Sequence, residues 1–318
     1  MRVAVFGGGN DAITQAYLAT LAGLGDEGIL IDYAALDEQV PVSLVDGAYH
    51  YAGEPVGPLD AAILRFIPQP SVPFLRKEGR LELYDDWHTA YMNAGERSFL
   101  YMGWLLDLHH AGIPLVNPPH AASVQQFKSF QLQSIRRLGG KVPRTLISND
   151  PDAVRAFQRE VGDVIFKPLI GGALARRLDA AAMEQLELIR NAPVTFQELV
   201  PGEDVRITLV GREAVSAVAV DIPEGTLDYR SDPTYAQQGG SYREVQVPES
   251  VLALCRRAME ACHLEFAGID LRHDGDDWVF LELNSSPVYF DVERKMGHPV
   301  TRTLVQYVRD RALRRQRG

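Results

Sequence analysis

Asp270, Glu282 and Asn284 are three oxygen-bearing side chains set into runs that otherwise read as apolar strand. Residues two apart on a strand share a face, so in "VFLELN" Val279, Leu281 and Leu283 point one way and Phe280, Glu282 and Asn284 the other. The preceding run "EFAGIDLRHDGDDW" ends in an Asp-Gly-Asp-Asp turn and predicts the other arm of an antiparallel hairpin. Placing Ile269 and Leu271 on the apolar face sets Asp270 opposite or next to Glu282, because a one-residue slip would flip a whole set. Directly opposed carboxylates repel by up to about 1 kcal/mol. The pattern therefore asks for a cation between them, and predicts that neutralising one would stabilise the metal-free chain. Two carboxylates and an amide suit a hard ion, Mg²⁺ or Mn²⁺, better than zinc. The competing reading is a solvated sheet face with Arg272 as counter-charge.

Two lysines extend this chemistry. Lys167 closes the apolar strand "DVIFKPL" just before Gly171 and Gly172, an arrangement that brings an ammonium and backbone N–H groups to a polyphosphate. Lys128 lies in "QQFKSFQL". Either alone is an ordinary exposed charge; with the oxygen cluster, a nucleotide phosphate carrying Mg²⁺ is the economical explanation. A second chemistry competes at the N-terminus. Gly7, Gly9 and Ala12 match a dinucleotide fingerprint, and Asp32 ends the next strand where an acid would hold ribose. That is an NAD(P)-dependent oxidoreductase reading. It is the weaker one, because any tight strand-to-helix turn needs glycine.

These side chains have to be positioned by α/β elements. The first third alternates strand and helix patterns, "RVAVFG", "AITQAYLATLAGLG", "GILIDY", "LDAAILRF", "RSFLYMGWLLDLHHAG" and "IPLVNP", which predicts a parallel sheet with crossover helices. After the proline-rich "VNPPHAAS", read as a linker, a second unit follows with the helix "SFQLQSIRRLGG", several strands, a glycine-rich loop, the hairpin and a C-terminal helix. The 318 residues are 46% hydrophobic and 23% charged, an ordinary globular balance, and the net charge of −10 argues against nucleic acid as partner. The basic tail "RDRALRRQRG" reads as a frayed helix end. No apolar run has membrane-spanning length, and "MRVAVFGGG" enters a strand without a leader, so the expected compartment is cytoplasmic. Cys255 and Cys262 stand seven apart on a helical pattern, about 10 Å along its axis. That is too far for a disulfide, and both are expected in the core.

From "VNPPHAASVQQFKSFQLQSIRRLGGKVPRTLISND" to the end, the chain resembles the ATP-grasp superfamily, and within it the RimK-like carboxylate–amine ligases. "ELNSSP" followed by "VERKMGHPV" is similar to the RimK-like ending. The resemblance implies a Rossmann-like preceding domain over residues 1–118, followed by a two-lobed ATP-grasp domain of α+β subdomains, with a small lobe over 119–195 and a large lobe carrying the metal site over 196–318. It implies that Lys128 and Lys167 hold the ATP phosphates, that the backbone of Gln197, Glu198, Leu199 and Val200 reads adenine, and that Asp204 binds ribose. Asp270, Glu282 and Asn284 match the family's Mg²⁺ ligands. Arg206, on the strand face of Asp204, is the first candidate to neutralise transition-state charge, and Arg272 the second. His273 lies in the turn and is not placed to act as a base.

The implied reaction is ATP-dependent activation of a carboxylate as an acyl phosphate, which an amine then displaces to form an amide or peptide bond. The partners are small-molecule or peptide carboxylates and amines, without nucleic acid or membrane, and self-association into a homo-oligomer is open. Arg65, Tyr229, Arg230 and Tyr289 are candidates for binding substrate; "DYR" at 228–230 resembles a stretch in relatives that crosslink ribosomal peptides. Two departures stand out. The loop "KPLIGGALARRL" is short of glycine, so that Arg176 or Arg177 is expected to supply the missing charge stabilisation, and Val288 follows "NSSP" where the family has glycine. The altered loop favours the alternative of an ATP-grasp kinase or nucleotide-binding protein without amide synthesis.

Overall fold

The computed structural model describes residues 1–33, 40–68, 87–169, 174–221, 227 and 239–317. The chain divides into two compact units, one made of residues 1–122 and 301–318 and the other of residues 123–300.

In the first unit, β1 (Arg2–Gly7), β2 (Glu27–Asp32), β6 (Ala61–Leu64) and β7 (Leu115–Val116) form a parallel sheet in the order β2-β1-β6-β7. Helix Ala12–Gly23 crosses between the first two strands, and the Asp11 carboxylate caps it by accepting from the Thr14 N–H. A three-stranded antiparallel meander that the sequence reading missed stands between β2 and β6, formed by β3 (Val42–Val45), β4 (Ala48–Tyr51) and β5 (Glu54–Pro55). Its signal was present in Asp46-Gly47, both at positive φ, the backbone that an Asp-Gly hairpin turn requires. Tyr49 of β4 stacks on Trp104 at 4.6 Å, and Trp104 meets Phe6 of β1 edge-on at 5.2 Å, so the meander packs into the core.

The C-terminal helix Val300–Arg317 belongs to this first unit from Thr301 onward, which corrects the expectation of a lobe running to residue 318. Leu304, Val305, Val308 and Ala312 are buried along one face. The basic tail is docked: Arg315 donates to the Ala111 carbonyl and Gln316 to Asp60. Asp26 anchors the assembly, accepting both the terminal ammonium at 2.9 Å and Arg309 Nε at 2.5 Å.

The second unit holds two sheets. One is antiparallel in the order β10-β9-β11-β8, from β8 (Thr145–Ser148), β9 (Val164–Lys167), β10 (Arg176–Arg177) and β11 (Val194–Glu198). Because β11 runs to Glu198, this sheet extends past the boundary expected at residue 195. Val164, Phe166 and Phe196 pack against Val154, Leu178 and Leu186, so by strand alternation Ile165, Lys167, Thr195 and Gln197 present the other face. The second sheet is antiparallel in the order β14-β13-β12-β15-β16, with β12 (Glu203–Val210), β13 (Glu213–Asp221), β14 (Ser241–Glu244), β15 (Phe266–His273) and β16 (Trp278–Asn284). Cys255 and Cys262 are buried free thiols on and just after the helix Glu249–Ala261. Burial pushes the Cys255 thiol up to about 12 and the Cys262 thiol up to about 11. Among the described residues no helix is long and apolar enough to cross a membrane.

Asp26 is 4% exposed and holds two cations, so removing it leaves them facing each other in a confined space. Asp26→Ala is expected to destabilise the first unit by about 3 kcal/mol, read as a fall in Tm relative to the wild type.

Candidate active site

β12, β15 and β16 present one face on which charge alternates. In register, Arg206 of β12 lies opposite Asp270 of β15, which lies opposite Glu282 of β16; one step along, Asp204 lies opposite Arg272. The expected pairing of Asp270 with Glu282 is present. The apolar face differs from expectation, because a bulge pairs Leu271 with Phe280 and leaves Leu281 as the extra residue. Phe280 and Leu283 are therefore the buried residues of β16. The bulge lets Glu282 and Asn284 keep their positions while an aromatic fills the core.

The two carboxylates are not bare. Arg206 holds Asp270 with a two-pronged bond, Nε to Oδ1 at 2.7 Å and Nη2 to Oδ2 at 2.9 Å. Lys128 Nζ meets Glu282 Oε2 at 2.7 Å. Burial opposes ionisation of Glu282, but the charges of Lys128, Lys167 and Arg206 and the Lys128 hydrogen bond outweigh it and hold the carboxyl below its ordinary value. This corrects the expectation from facing carboxylates: neutralising Asp270 or Glu282 would strand a cation rather than relieve repulsion. Arg272 is not their counter-charge. Its Nε pairs with Asp204 Oδ1 at 2.9 Å and its Nη1 donates to the Gly202 carbonyl at 2.5 Å, which fixes Asp204 at the start of β12.

Gln131 supplies a contact that the sequence reading missed. It is 1% exposed on helix Lys128–Arg137, and its amide clamps β16: Nε2 donates to the Leu283 carbonyl at 3.0 Å, and Oε1 accepts the Leu283 N–H at 2.8 Å. The same Nε2 donates to the Val124 carbonyl at 2.8 Å. Lys128 is three residues earlier, at the first position of that helix, so the clamp sets the lysine beside Glu282. A buried glutamine one turn after a lysine in "KSFQ" is the only sequence hint.

Asp270 and Glu282 face each other and Asn284 follows on β16, where its Oδ1 accepts the Ser286 N–H at 3.0 Å. Among the described residues there is no group of three or more His, Cys, Asp or Glu placed to hold a metal. The donors are carboxylate and amide oxygens alone, and each ionised oxygen retains a lone pair beyond its present hydrogen bond. That set fits a hard divalent ion whose shell is completed by phosphate oxygens and water, and does not fit zinc.

On the smaller sheet, Lys167 lies opposite Thr195. Gln197 is buried, donating to Thr145 Oγ1 at 3.1 Å, and Glu198 accepts the Arg144 N–H at 2.9 Å. Backbone bonds from Glu198 to Arg144 and from Leu199 to Asp163 fix the path into Val200 and β12. Gly202 is required there: at φ 101° a Cβ would sit 2.3 Å from the His273 carbonyl oxygen.

Other expected residues have partners of their own. Arg65 belongs to the first unit, buried, with Nε on Asp11 at 3.1 Å and its guanidinium 4.0 Å from the Phe66 ring centroid. Tyr289 is buried and edge-on to Phe266 at 5.8 Å, a core residue rather than a substrate contact. His273 stacks on Trp278 at 4.1 Å. Arg176 lies opposite Phe166, on the face packed by helices, whereas Arg177 lies opposite Ile165 and shares the face of Lys167. Tyr229, Arg230 and the glycine pair 171–172 lie outside the described residues. Asp32 accepts the Gly9 N–H at 2.6 Å, and a Cβ at Gly7 would sit 2.4 Å from Thr14 Oγ1, so close packing accounts for the N-terminal glycines without a dinucleotide.

Gln131→Leu should cost about 2 kcal/mol by stripping two buried backbone groups of their partners, and should lower turnover beyond what the loss of folded protein explains. Thermal unfolding and turnover per folded molecule check both parts.

A RimK-like ATP-grasp domain model matches residues 124–308. A "Probable alpha-L-glutamate ligase" of Shewanella loihica is 27% identical over 235 residues, covering 70% of this chain and 73% of the relative. Another, "Probable alpha-L-glutamate ligase 1" of a Shewanella species, strain MR-4, is 26% identical over 314 residues, 95% of this chain and 93% of its own. Among solved structures, the ATP-grasp ligase PsnB complexed with a phosphomimetic variant of minimal precursor, Mg and ADP is 30% identical, covers 98% of each chain and superposes with a TM-score of 0.83. The macrocyclase MdnC of Microcystis aeruginosa, bound with precursor peptide MdnA, shares the fold at 20% identity, 98% and 100% coverage and a TM-score of 0.79. With more than half its length under the family model and its whole length superposing on an ATP-grasp ligase, this chain belongs to the RimK-like ATP-grasp family.

Proposed function

We propose that this chain is an ATP-dependent carboxylate–amine ligase whose carboxylate is carried on a peptide. The observation that carries the reading is the face of β12, β15 and β16, where two facing carboxylates stand among Arg206, Lys128 and Lys167. A peptide substrate is favoured over a free amino acid because PsnB, solved in complex with a precursor peptide, matches at about 30% identity over 98% of the chain, against 26% over 95% for a glutamate ligase. The first unit serves as a Rossmann-like preceding domain, with Arg65 at its glycine turn, and the compartment is the cytosol.

Lys128 and Lys167 hold the phosphates of ATP, the backbone of Gln197 to Val200 reads adenine, and Asp204, fixed by Arg272, takes the ribose. Asp270, Glu282 and Asn284 would hold a divalent ion, which would supply neutralisation of phosphate charge. A substrate carboxylate oxygen attacks the terminal phosphorus and ADP leaves, giving an acyl phosphate. The amine nitrogen then attacks the acyl carbon, the carbon–oxygen bond to phosphate breaks, and the amine proton passes to solvent or the departing phosphate. On this reading Arg206 meets negative charge on the transferring group after loosening from Asp270.

With the correct peptide, hydroxylamine should divert the acyl phosphate to a hydroxamate with one ADP released per product. ADP release that leaves phosphate on a hydroxyl would make the chain a kinase, and tight NADH binding without ATP binding would restore the N-terminal glycine turn as a cofactor site. Arg206→Ala should lower kcat about 100-fold with little change in ground-state ATP affinity. Arg177→Ala should lower kcat in the same way while Arg176→Ala leaves it unchanged, because only Arg177 shares the face of Lys167.

A further inference from the structure

Thr195 lies in β11, a strand flanked on both sides in the smaller sheet, opposite Ile147 of β8 and Lys167 of β9. It is 1% exposed, and its Oγ1 is the only buried side-chain nitrogen or oxygen among the described residues without a hydrogen-bond partner. The polar pair next along the same face is accounted for: Gln197 donates to Thr145 Oγ1 at 3.1 Å, and Thr145 Oγ1 donates to the Pro143 carbonyl at 2.8 Å. Packing does not explain the hydroxyl of Thr195. Valine has the same branched shape and suits a strand equally well. A buried hydroxyl without a partner destabilises the fold, and valine would not. The chain carries that cost on the face of Lys167 and Gln197, the face to which the ligase reading gives ATP.

We propose that Thr195 is a specificity-determining contact of the nucleotide, its hydroxyl donating a hydrogen bond to adenine N7 when ATP binds. The inference rests on the ATP-binding reading above. On that reading the backbone of residues 197–200 takes the base and Lys167 takes phosphate. Thr195, two residues before Gln197 and opposite Lys167, then stands between the base contacts and the phosphate contacts. The adenine atom turned toward the phosphate side is N7, which accepts and cannot donate, so a hydroxyl donor suits it. Side chains directly opposed across two antiparallel strands are about 5 Å apart. The half-buried stem of Lys167 is therefore in register to screen the hydroxyl. Moving the lysine ammonium to a phosphate uncovers Thr195, and the base supplies the partner that the fold alone does not.

Calorimetry with ATP and with 7-deaza-ATP, which carries carbon in place of N7, tests the contact, together with thermal unfolding in the absence of nucleotide. Thr195→Val should raise Tm by about 2–4 °C, because the unpartnered hydroxyl is gone. The same substitution should weaken ATP binding about 10-fold, the loss of one hydrogen bond. A threonine with a purely structural role cannot give these opposite signs. The wild type should bind 7-deaza-ATP about 10-fold more weakly than ATP. Thr195→Val should bind the two equally, and Thr195→Ser, which keeps the hydroxyl, should retain the preference for ATP. Unchanged ATP affinity in Thr195→Val, a loss of affinity accompanied by a fall in Tm, or the same preference for ATP over 7-deaza-ATP in wild type and Thr195→Val would each overturn the proposal. In those three cases the wild type still binds ATP and the ligase reading stands, whereas a wild type that binds neither nucleotide sinks both.

Discussion

Asp270 and Glu282 face each other across β15 and β16, and the site depends on each having a cation of its own. Without Arg206 and the two lysines, the pair would repel and burial would push the Glu282 carboxyl up instead of leaving it below its ordinary value. With them, the face is electrically balanced before any ligand arrives. Ligand binding on the proposed reading would then be an exchange of partners: phosphate oxygens would take Lys128 from Glu282, and Glu282 and Asp270 would be free to hold a metal as Arg206 loosens. No charge need be buried alone at any stage, which avoids the penalty of several kcal/mol for an uncompensated ion.

That balance rests on supports behind the facing charges. Gln131 ties the helix bearing Lys128 to β16, and Arg272 with the Gly202 carbonyl fixes Asp204. The side chains of Gln197 and Glu198 are spent on Thr145 and Arg144, and backbone bonds to Arg144 and Asp163 hold the segment that the proposed reading assigns to adenine. Residues that resemble binding groups in sequence thus divide into those that line the charged face and those that hold the others still.

The hairpin and its polar pair were legible because period-two alternation constrains register strongly when one face is buried. The bulge at Leu281 was not legible, since it requires knowing that Phe280 fits the core better than Leu281, a matter of three-dimensional packing. The charge partners were misread for the same reason: Arg272 is nearest Asp270 in sequence, but β12 brings Arg206 opposite it and Asp204 opposite Arg272. Tyr289 looked like a substrate residue beside "NSSP" because sequence cannot say which side of a turn is packed. The meander at 42–55 was overlooked although Asp46-Gly47 marked it, its strands being only two to four residues long. The glycines of the first strand-to-helix turn were read as weak evidence for a cofactor, and their neighbours Thr14 and Asp32 supply the steric reason.

The docked C-terminal helix makes the first unit discontinuous, with the whole of the second unit inserted between its two segments. Asp26 is joined to a residue 283 positions later. At a synthesis rate of about 5–20 residues per second, Asp26 waits roughly 15 to 60 s for Arg309 to emerge. During that interval the apolar surface later covered by Leu304, Val305 and Val308 is open, and the second unit completes its sequence before that surface is covered. The order of assembly on the ribosome is therefore inverted relative to the order of the chain: the unit that begins first closes last.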